Sequence, residues 1–265
     1  AIIMHEGAHY LLHPNRRVND RLTNWLAAFP IGTTVEMYRC NHFRHHNHLG
    51  TPEDPDFRAL CLPPIEHGLG SSVLGCLSGW RQLQLLLKYI TGQRQTARPA
   101  GAPGLSGLAG RAVWHGVLLG TATLTGHPLA YVFVWLVPLF TFGVLINEVR
   151  SIVEHTPLVN GLATGELRSL EPLTRTVRPG WLDRLWIAPL NFSYHLEHHL
   201  YPGVPFSRLP ELHRVLKELG YYEQRPDLLH AGYGSIVRAL AGCFRQRELR
   251  PQVQVENGIY VAHRA

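Results

Sequence analysis

Charged side chains are scarce in this sequence, at 17% of 265 residues, and from Ala112 to Ile146 there is no Asp, Glu, Lys or Arg at all. So little charge argues against a surface that is wetted throughout and for an apolar environment around part of the chain. Cysteine is also rare. Cys40, Cys61, Cys76 and Cys243 make no CxxC pair and no closely spaced framework, which excludes a disulfide-stapled secreted domain and a cysteine-held iron–sulfur cluster. They read as reduced core or membrane residues. There is no glycine fingerprint of a dinucleotide site and no haem-attachment pattern. Zinc-finger and RNA-binding signatures are missing too, so the formal net charge of +6 reads as a basic face beside anionic lipid and no nucleic-acid partner is expected. No solenoid repeat is present. No signal peptide precedes the first histidine motif, and the chain opens on Ala1, which reads as a sequence truncated at its N-terminus, with any preceding membrane helices upstream.

The charge-free run is long enough for two slightly short membrane spans, since a bilayer core of about 30 Å takes about 20 helical residues. Thr125, Gly126, His127 and Pro128 form a turn signal in its middle, so a helical hairpin is expected over 112–146, with arms 112–125 and 128–146. Arg94, Arg98 and Arg111 precede the hairpin and Arg150 follows it, whereas the turn carries no cation, which places both outer ends in the cytoplasm. The segments 22–37 and 69–90 are apolar but interrupted by polar residues, as interfacial helices are. A Gly/Pro-rich loop is expected over 91–110. From 150 to 265 the chain turns polar and reads as a cytoplasmic cap and tail, with helices near 210–219 and 235–243. The whole of 1–265 reads as one domain.

Histidine is what the sequence has in excess: 17 residues, most of them clustered. Residues 5–9 read HEGAH, 42–46 read HFRHH and 195–199 read HLEHH. Positions i, i+3 and i+4 of a helix share one face, so each cluster can aim its imidazoles at a common point. His155, preceded by Glu154, stands just beyond the second apolar arm. One ion rarely takes more than about six ligands, so eight histidines with a ninth at 155 point to two ions.

The three clusters, followed by LYPGVPFSRLPELH, resemble the histidine boxes of membrane fatty-acid desaturases and related hydroxylases, and the likeness runs from His5 to about Leu216. The acidic stretch TPEDPDF at 51–57 is similar to one common in that family. The resemblance implies an all-α integral-membrane fold, a helical bundle capped by a cytoplasmic domain with a dimetal site. It implies iron ligands at His5, His9, His42, His45, His46, His195, His198 and His199, with His155 completing the set. Two iron ions are the implied cofactors and O2 the co-substrate.

Removing hydrogen from an unactivated CH2 group demands an oxidant stronger than any side chain, hence metal-activated dioxygen. Carboxylates behind metal-bound imidazoles orient the rings, and Glu6, Asp54, Asp56, Glu154 and Glu197 are available for it. Glu154 and Asp56 are the candidates for a catalytic role. The expected substrate is a lipid acyl chain reached from the bilayer. Electrons are expected from a ferredoxin or a small cytochrome with its reductase, docking at Arg208, Arg214 and Lys217 if these are not simply a solvated face. Desaturation is the expected outcome, with hydroxylation of an acyl, alkyl or carotenoid-like lipid as the alternative. HEGAH alone also fits the HExxH zinc-protease motif, which leaves both HxxHH clusters unexplained. A metal-storage protein is the non-catalytic reading.

Overall fold

The computed structural model describes residues 2–49, 51, 53–56, 68–91, 105–155, 174–223, 225, 228–238, 252–256 and 259–263. Most of the loop expected over 91–110 lies outside them, as do Phe57, Cys61, His67 and Cys243. The described residues are mostly helical and fall into two units, 1–43 with 75–145 and 44–74 with 146–265.

In the first unit helix α1 (Ile2–Ala8) carries His5 and is held at its end by its neighbours. Its support comes from α2 (Arg16–Thr23), whose start is capped by the Asn15 side chain accepting from the Arg17 and Val18 N–H groups. Gly7 permits the contact. A Cβ there would stand 1.9 Å from Thr23 Oγ1. The chain continues through a π turn (Asn24–Ala28) and a 3-10 turn (Phe29–Ile31) that ends on Gly32 at φ 79°. Met4, Ala27 and Ala28 form a small core with Ile31 and Tyr38. Helix α3 (Val35–Asn47) supplies Arg39, which binds the last turn of α1. Its Nε donates to the Ala8 carbonyl at 2.8 Å and its Nη2 to the Gly7 carbonyl at 2.9 Å. Asp20 neutralises the guanidinium, with Oδ1 at 2.5 Å, and the Tyr10 ring lies 3.8 Å below it. Asn19 Nδ2 also donates to the Gly7 carbonyl, at 2.8 Å, so carbonyls that the short helix cannot satisfy internally are satisfied from outside.

The segment 69–90 is broken by Gly79 (φ 74°) into α4 (Leu69–Leu77) and α5 (Trp80–Ile90). Helix α5 exposes Trp80, Leu83, Leu86 and Leu87, the amphipathic character expected of it. The helical hairpin is present, with arms longer than expected: α6 (Leu105–Leu124) and α7 (Pro128–His155), joined through Gly126 at φ 78°. Trp114 and Trp135 stack across it at 5.6 Å, and Tyr131 Oη lies 3.0 Å from His115 Nδ1. His115 Nε2 donates to the Phe29 carbonyl at 3.1 Å, so this histidine is a satisfied structural residue. Gly110 lets α6 sit against Phe29, where a Cβ would come within 2.2 Å. Of the two arms, only α7, with 28 residues, is long and apolar enough to cross a membrane among the described residues. Arg111, His115 and the Gly- and Thr-rich stretch dilute α6.

The second unit holds α8 (His195–Leu200) and α9 (Leu209–Glu218), which share a core of Leu196, Leu216, Tyr222 and Leu228. Here the all-α expectation is corrected. Two short sheets are present: β1 (Thr176–Arg178) pairs in parallel with β2 (Leu229–Ala231), and β3 (Gln252–Glu256) pairs antiparallel with β4 (Ile259–His263). Three-residue strands are too short to show an alternating pattern, so β1 and β2 left no signal. On α9, Arg214 pairs with Glu218 and, just before it, Arg208 with Glu211, each at 2.9 Å on the surface, as on an ordinary solvated helix face.

Replacing Gly7 by alanine forces a methyl group into Thr23, an overpacking that costs on the order of 1–3 kcal/mol. Thermal unfolding of Gly7→Ala in detergent will show a lowered midpoint, and the variant will retain less metal after purification.

Candidate metal centre

In the first unit, the turn that ends α1 and the middle of α3 bring His5, His9 and His42 together. One ring nitrogen from each lies within 4.8 Å of the others, and His9 Nε2 faces His42 Nε2 at 2.8 Å. In the second unit, His45 from α3, His155 from the last turn of α7, and His195 and His199 from α8 converge likewise. Their nitrogens also lie within 4.8 Å of one another, and all four residues are buried. His195 Nε2 faces His155 Nε2 at 2.8 Å and His199 Nε2 at 3.1 Å. His46 and His198 meet Nε2 to Nε2 at 3.1 Å, and the His46 ring stacks on His199 at 4.3 Å. All nine histidines singled out in the sequence therefore stand among other imidazoles, but the boxes do not each aim at a common point: His45, His195 and His199 share one group while His46 and His198 meet each other.

A neutral imidazole has one donor and one acceptor nitrogen, so a buried ring of imidazoles turned nitrogen to nitrogen cannot satisfy every pair by hydrogen bonding. A cation accepting their lone pairs resolves the conflict, and imidazole nitrogens suit iron, copper and zinc alike. The lowered pKa values of His199 and His9 favour the neutral imidazole that a metal needs. Burial, and then the neighbouring His195, His46, His155 and His45, hold His199 well below its ordinary pKa. Burial, helped by Arg39, takes His9 from 6.5 to about 4. Burial alone would depress His45 also, but Asp54 outweighs it and the net shift is upward.

Carboxylates back the rings. The fully buried Asp54 lies 2.9 Å from His45 Nδ1, and a proton held there turns Nε2 toward the cluster. Asp54 is fixed in turn by the Asp56 N–H, which donates to the same Oδ1 at 2.9 Å. Of the acidic stretch, Asp54 touches His45 directly, and the Asp56 charge also raises the pKa of that histidine. Glu154 is fully buried, with Oε2 3.6 Å from His195 Nδ1. Arg150 donates to that oxygen at 3.0 Å and the Tyr233 hydroxyl to the other at 2.8 Å. Glu197, between the ligand positions of the third box, points away into a network of its own. It accepts from Thr176 Oγ1 at 2.5 Å, from the Tyr222 hydroxyl, and from His213 Nδ1 at 2.5 Å. Thr176, Tyr222 and Tyr233 escaped the sequence reading, because no spacing links them to the boxes, and His213 proves to serve Glu197 rather than a metal group.

The sequence matches the family described as fatty acid desaturase over residues 1–228. The chain belongs to this family. Among curated relatives, it is 28% identical over 234 residues to dihydrorhizobitoxine desaturase of Bradyrhizobium elkanii, covering 83% of this chain and 64% of that protein. It is 27% identical to a beta-carotene ketolase of Paracoccus sp. (strain PC1), over 81% of this chain and 73% of the ketolase. Sphingolipid delta(4)-desaturase DES1 of Drosophila melanogaster is 25% identical, over 85% and 64%. The aligned part thus spans slightly under two thirds of both desaturases. Desaturase-family membership and the histidine clusters agree on a metal site, and the family's relatives include both desaturases and ketolases.

Asp54→Asn leaves the shape but weakens the hold on the His45 tautomer, so metal affinity will fall about 10–100-fold, the usual effect of losing such a partner, in equilibrium dialysis with ferrous iron. A second expectation follows from His9. Its folded pKa, about 4, lies below the ordinary 6.5, so the unfolded chain takes up the proton first as pH falls. The associated stability is whole above pH 6.5 and is lost toward pH 4. The melting midpoint of metal-free protein will drop across that window, and His9→Gln will flatten the drop.

Proposed function

We propose that this chain carries the catalytic site for O2-dependent desaturation of a fatty acyl chain, borne by a lipid or a thioester, at two irons held by His5, His9, His42, His45, His46, His155, His195, His198 and His199. The observation that carries the reading is the buried set His45, His155, His195 and His199, nitrogen to nitrogen, in a member of the fatty acid desaturase family. When bound, the irons supply the dioxygen chemistry needed to take hydrogen from an unactivated CH2 group.

The protein's own groups do the rest. Asp54 holds the His45 ring by its Nδ1 and leaves Nε2 to the metal. Glu154, held by Arg150 and Tyr233, balances the charge beside His195. Asp56 keeps Asp54 in place through its backbone and adds a second negative charge near His45. Glu197, locked by Thr176, Tyr222 and His213, fixes the rotation of α8 and with it the aim of His195, His198 and His199. In the second unit the buried carboxylates Asp54, Glu154 and Glu197 offset the charge of bound metal, and in the first unit Glu6 stands buried beside His5.

The apolar helix α7 ends in the buried His155, so an acyl chain reaches the site from the bilayer. Arg94, Arg98, Arg111 and Arg150 flank a hairpin whose turn bears no cation, which supports a site facing the cytoplasm. Electrons come from a separate ferredoxin or small cytochrome with its reductase. The sphingolipid desaturase among the relatives favours a lipid acyl substrate, whereas the ketolases favour a second reading, oxygen insertion into a carotenoid-like hydrocarbon.

Expression of the full-length gene in cells that lack the activity, followed by lipid mass spectrometry, separates the two. Desaturation removes about two mass units and hydroxylation adds about sixteen, each only when O2 is supplied. His195→Ala will abolish either product. A product formed equally without oxygen, or by His195→Ala, would falsify the reading.

A further inference from the structure

The segment that follows β1 in the second unit carries an apolar face that nothing among the described residues covers. Trp181, Leu182, Leu185 and Trp186 are 75%, 52%, 58% and 64% exposed, and Leu190 after them is exposed as well. The positions i, i+1, i+4 and i+5 lie on one side of the helical turn that includes the π turn Asp183–Ile187, so the four side chains make one strip. Two tryptophans at that exposure are costly in water.

Charge around the strip is one-sided. Arg178 and Arg184 are exposed. Asp183, the one acidic residue between 174 and 192, is turned inward, its Oδ2 accepting from the N–H groups of Gly180 at 3.0 Å and Tyr233 at 3.4 Å. An apolar strip with tryptophans and free arginines is the pattern of a segment lying in a membrane interface, where indole rings sit at headgroup level and guanidinium groups meet lipid phosphate.

Its depth can be read from α7. The charge-free run of α7 ends at Ile146, and Arg150, four residues on, stacks its guanidinium over the Phe192 ring at 4.3 Å. At 1.5 Å rise per residue, Arg150 stands about 6 Å beyond the end of the apolar run. Each headgroup layer is roughly 5–8 Å thick. Phe192 follows the exposed strip directly, so the contact brings that segment to the level of the headgroups.

We infer that Trp181–Leu190 is an interfacial anchor, seated in the headgroup layer of the bilayer that α7 crosses, with Arg178 and Arg184 paired to phosphate. This rests on α7 spanning a membrane. The anchor gives the unit that holds His45, His155, His195 and His199 a second attachment to the bilayer besides α7 itself.

The test uses full-length protein reconstituted in phosphatidylcholine–phosphatidylglycerol vesicles, with Cys40, Cys61, Cys76 and Cys243 replaced by serine and one fluorophore at Leu182→Cys or, separately, at Val134→Cys in the exposed first half of α7. Matching melting midpoints identify folded variants. The label at 182 will be quenched at least twofold more by lipids with a spin label near the headgroup than by aqueous iodide, and the label at 134 by lipids labelled deep in the acyl chain. Lipid quenching at 134 with iodide quenching at 182 overturns the anchor while sparing the span. Shielding of 182 from both quenchers overturns it in favour of a protein partner or a second copy. Iodide quenching at 134 removes the span and the anchor together. Arg178→Gln combined with Arg184→Gln will reduce headgroup-lipid quenching at 182.

Discussion

Four imidazoles buried side by side, each with a nitrogen aimed at its neighbours, set the terms for the rest of the molecule. The one nitrogen of His195 that faces both His155 and His199 cannot serve both by hydrogen bonding, and the group is suited to hold a cation at its centre with acceptors at its periphery. The surroundings of His45, His155, His195 and His199 follow from this. Asp54 and Glu154 stand on the far side of the rings, and each is itself held by donors that keep it from turning away. Carboxylates so deeply buried would be a liability in a plain core; beside a divalent cation they balance charge.

The same logic explains Glu197. It stands between His195 and the His198–His199 pair and cannot face the same point as they do on a six-residue helix. Its opposite face meets Thr176 from β1, His213 from α9 and Tyr222, so the cap built after the hairpin is organised around a carboxylate belonging to the third histidine box. The small sheet and α9 are the means by which a short helix is held at a fixed rotation.

The histidine clusters were legible in the sequence because helical spacing is a local property, with two boxes at i, i+3 and i+4 and one at i and i+4, but spacing did not tell which rings of a box would come together. The hairpin was legible for the same reason, from a charge-free run with one turn signal. What could not be read was long-range. Nothing in the sequence ties Tyr233 to Glu154, 79 residues away, or His213 to Glu197. The strands β1 and β2 needed a partner 53 residues distant to become strands at all.

The clasp that Arg39 places on the carbonyls of Gly7 and Ala8 has a bearing on the order of assembly. The last carbonyls of α1 find no partner within the helix, so the turn that carries His9 is not fixed until a guanidinium synthesised some thirty residues later, on the very helix that brings His42, closes on it. His9 and His42 are therefore set in place together, by one helix, rather than in the order of their synthesis.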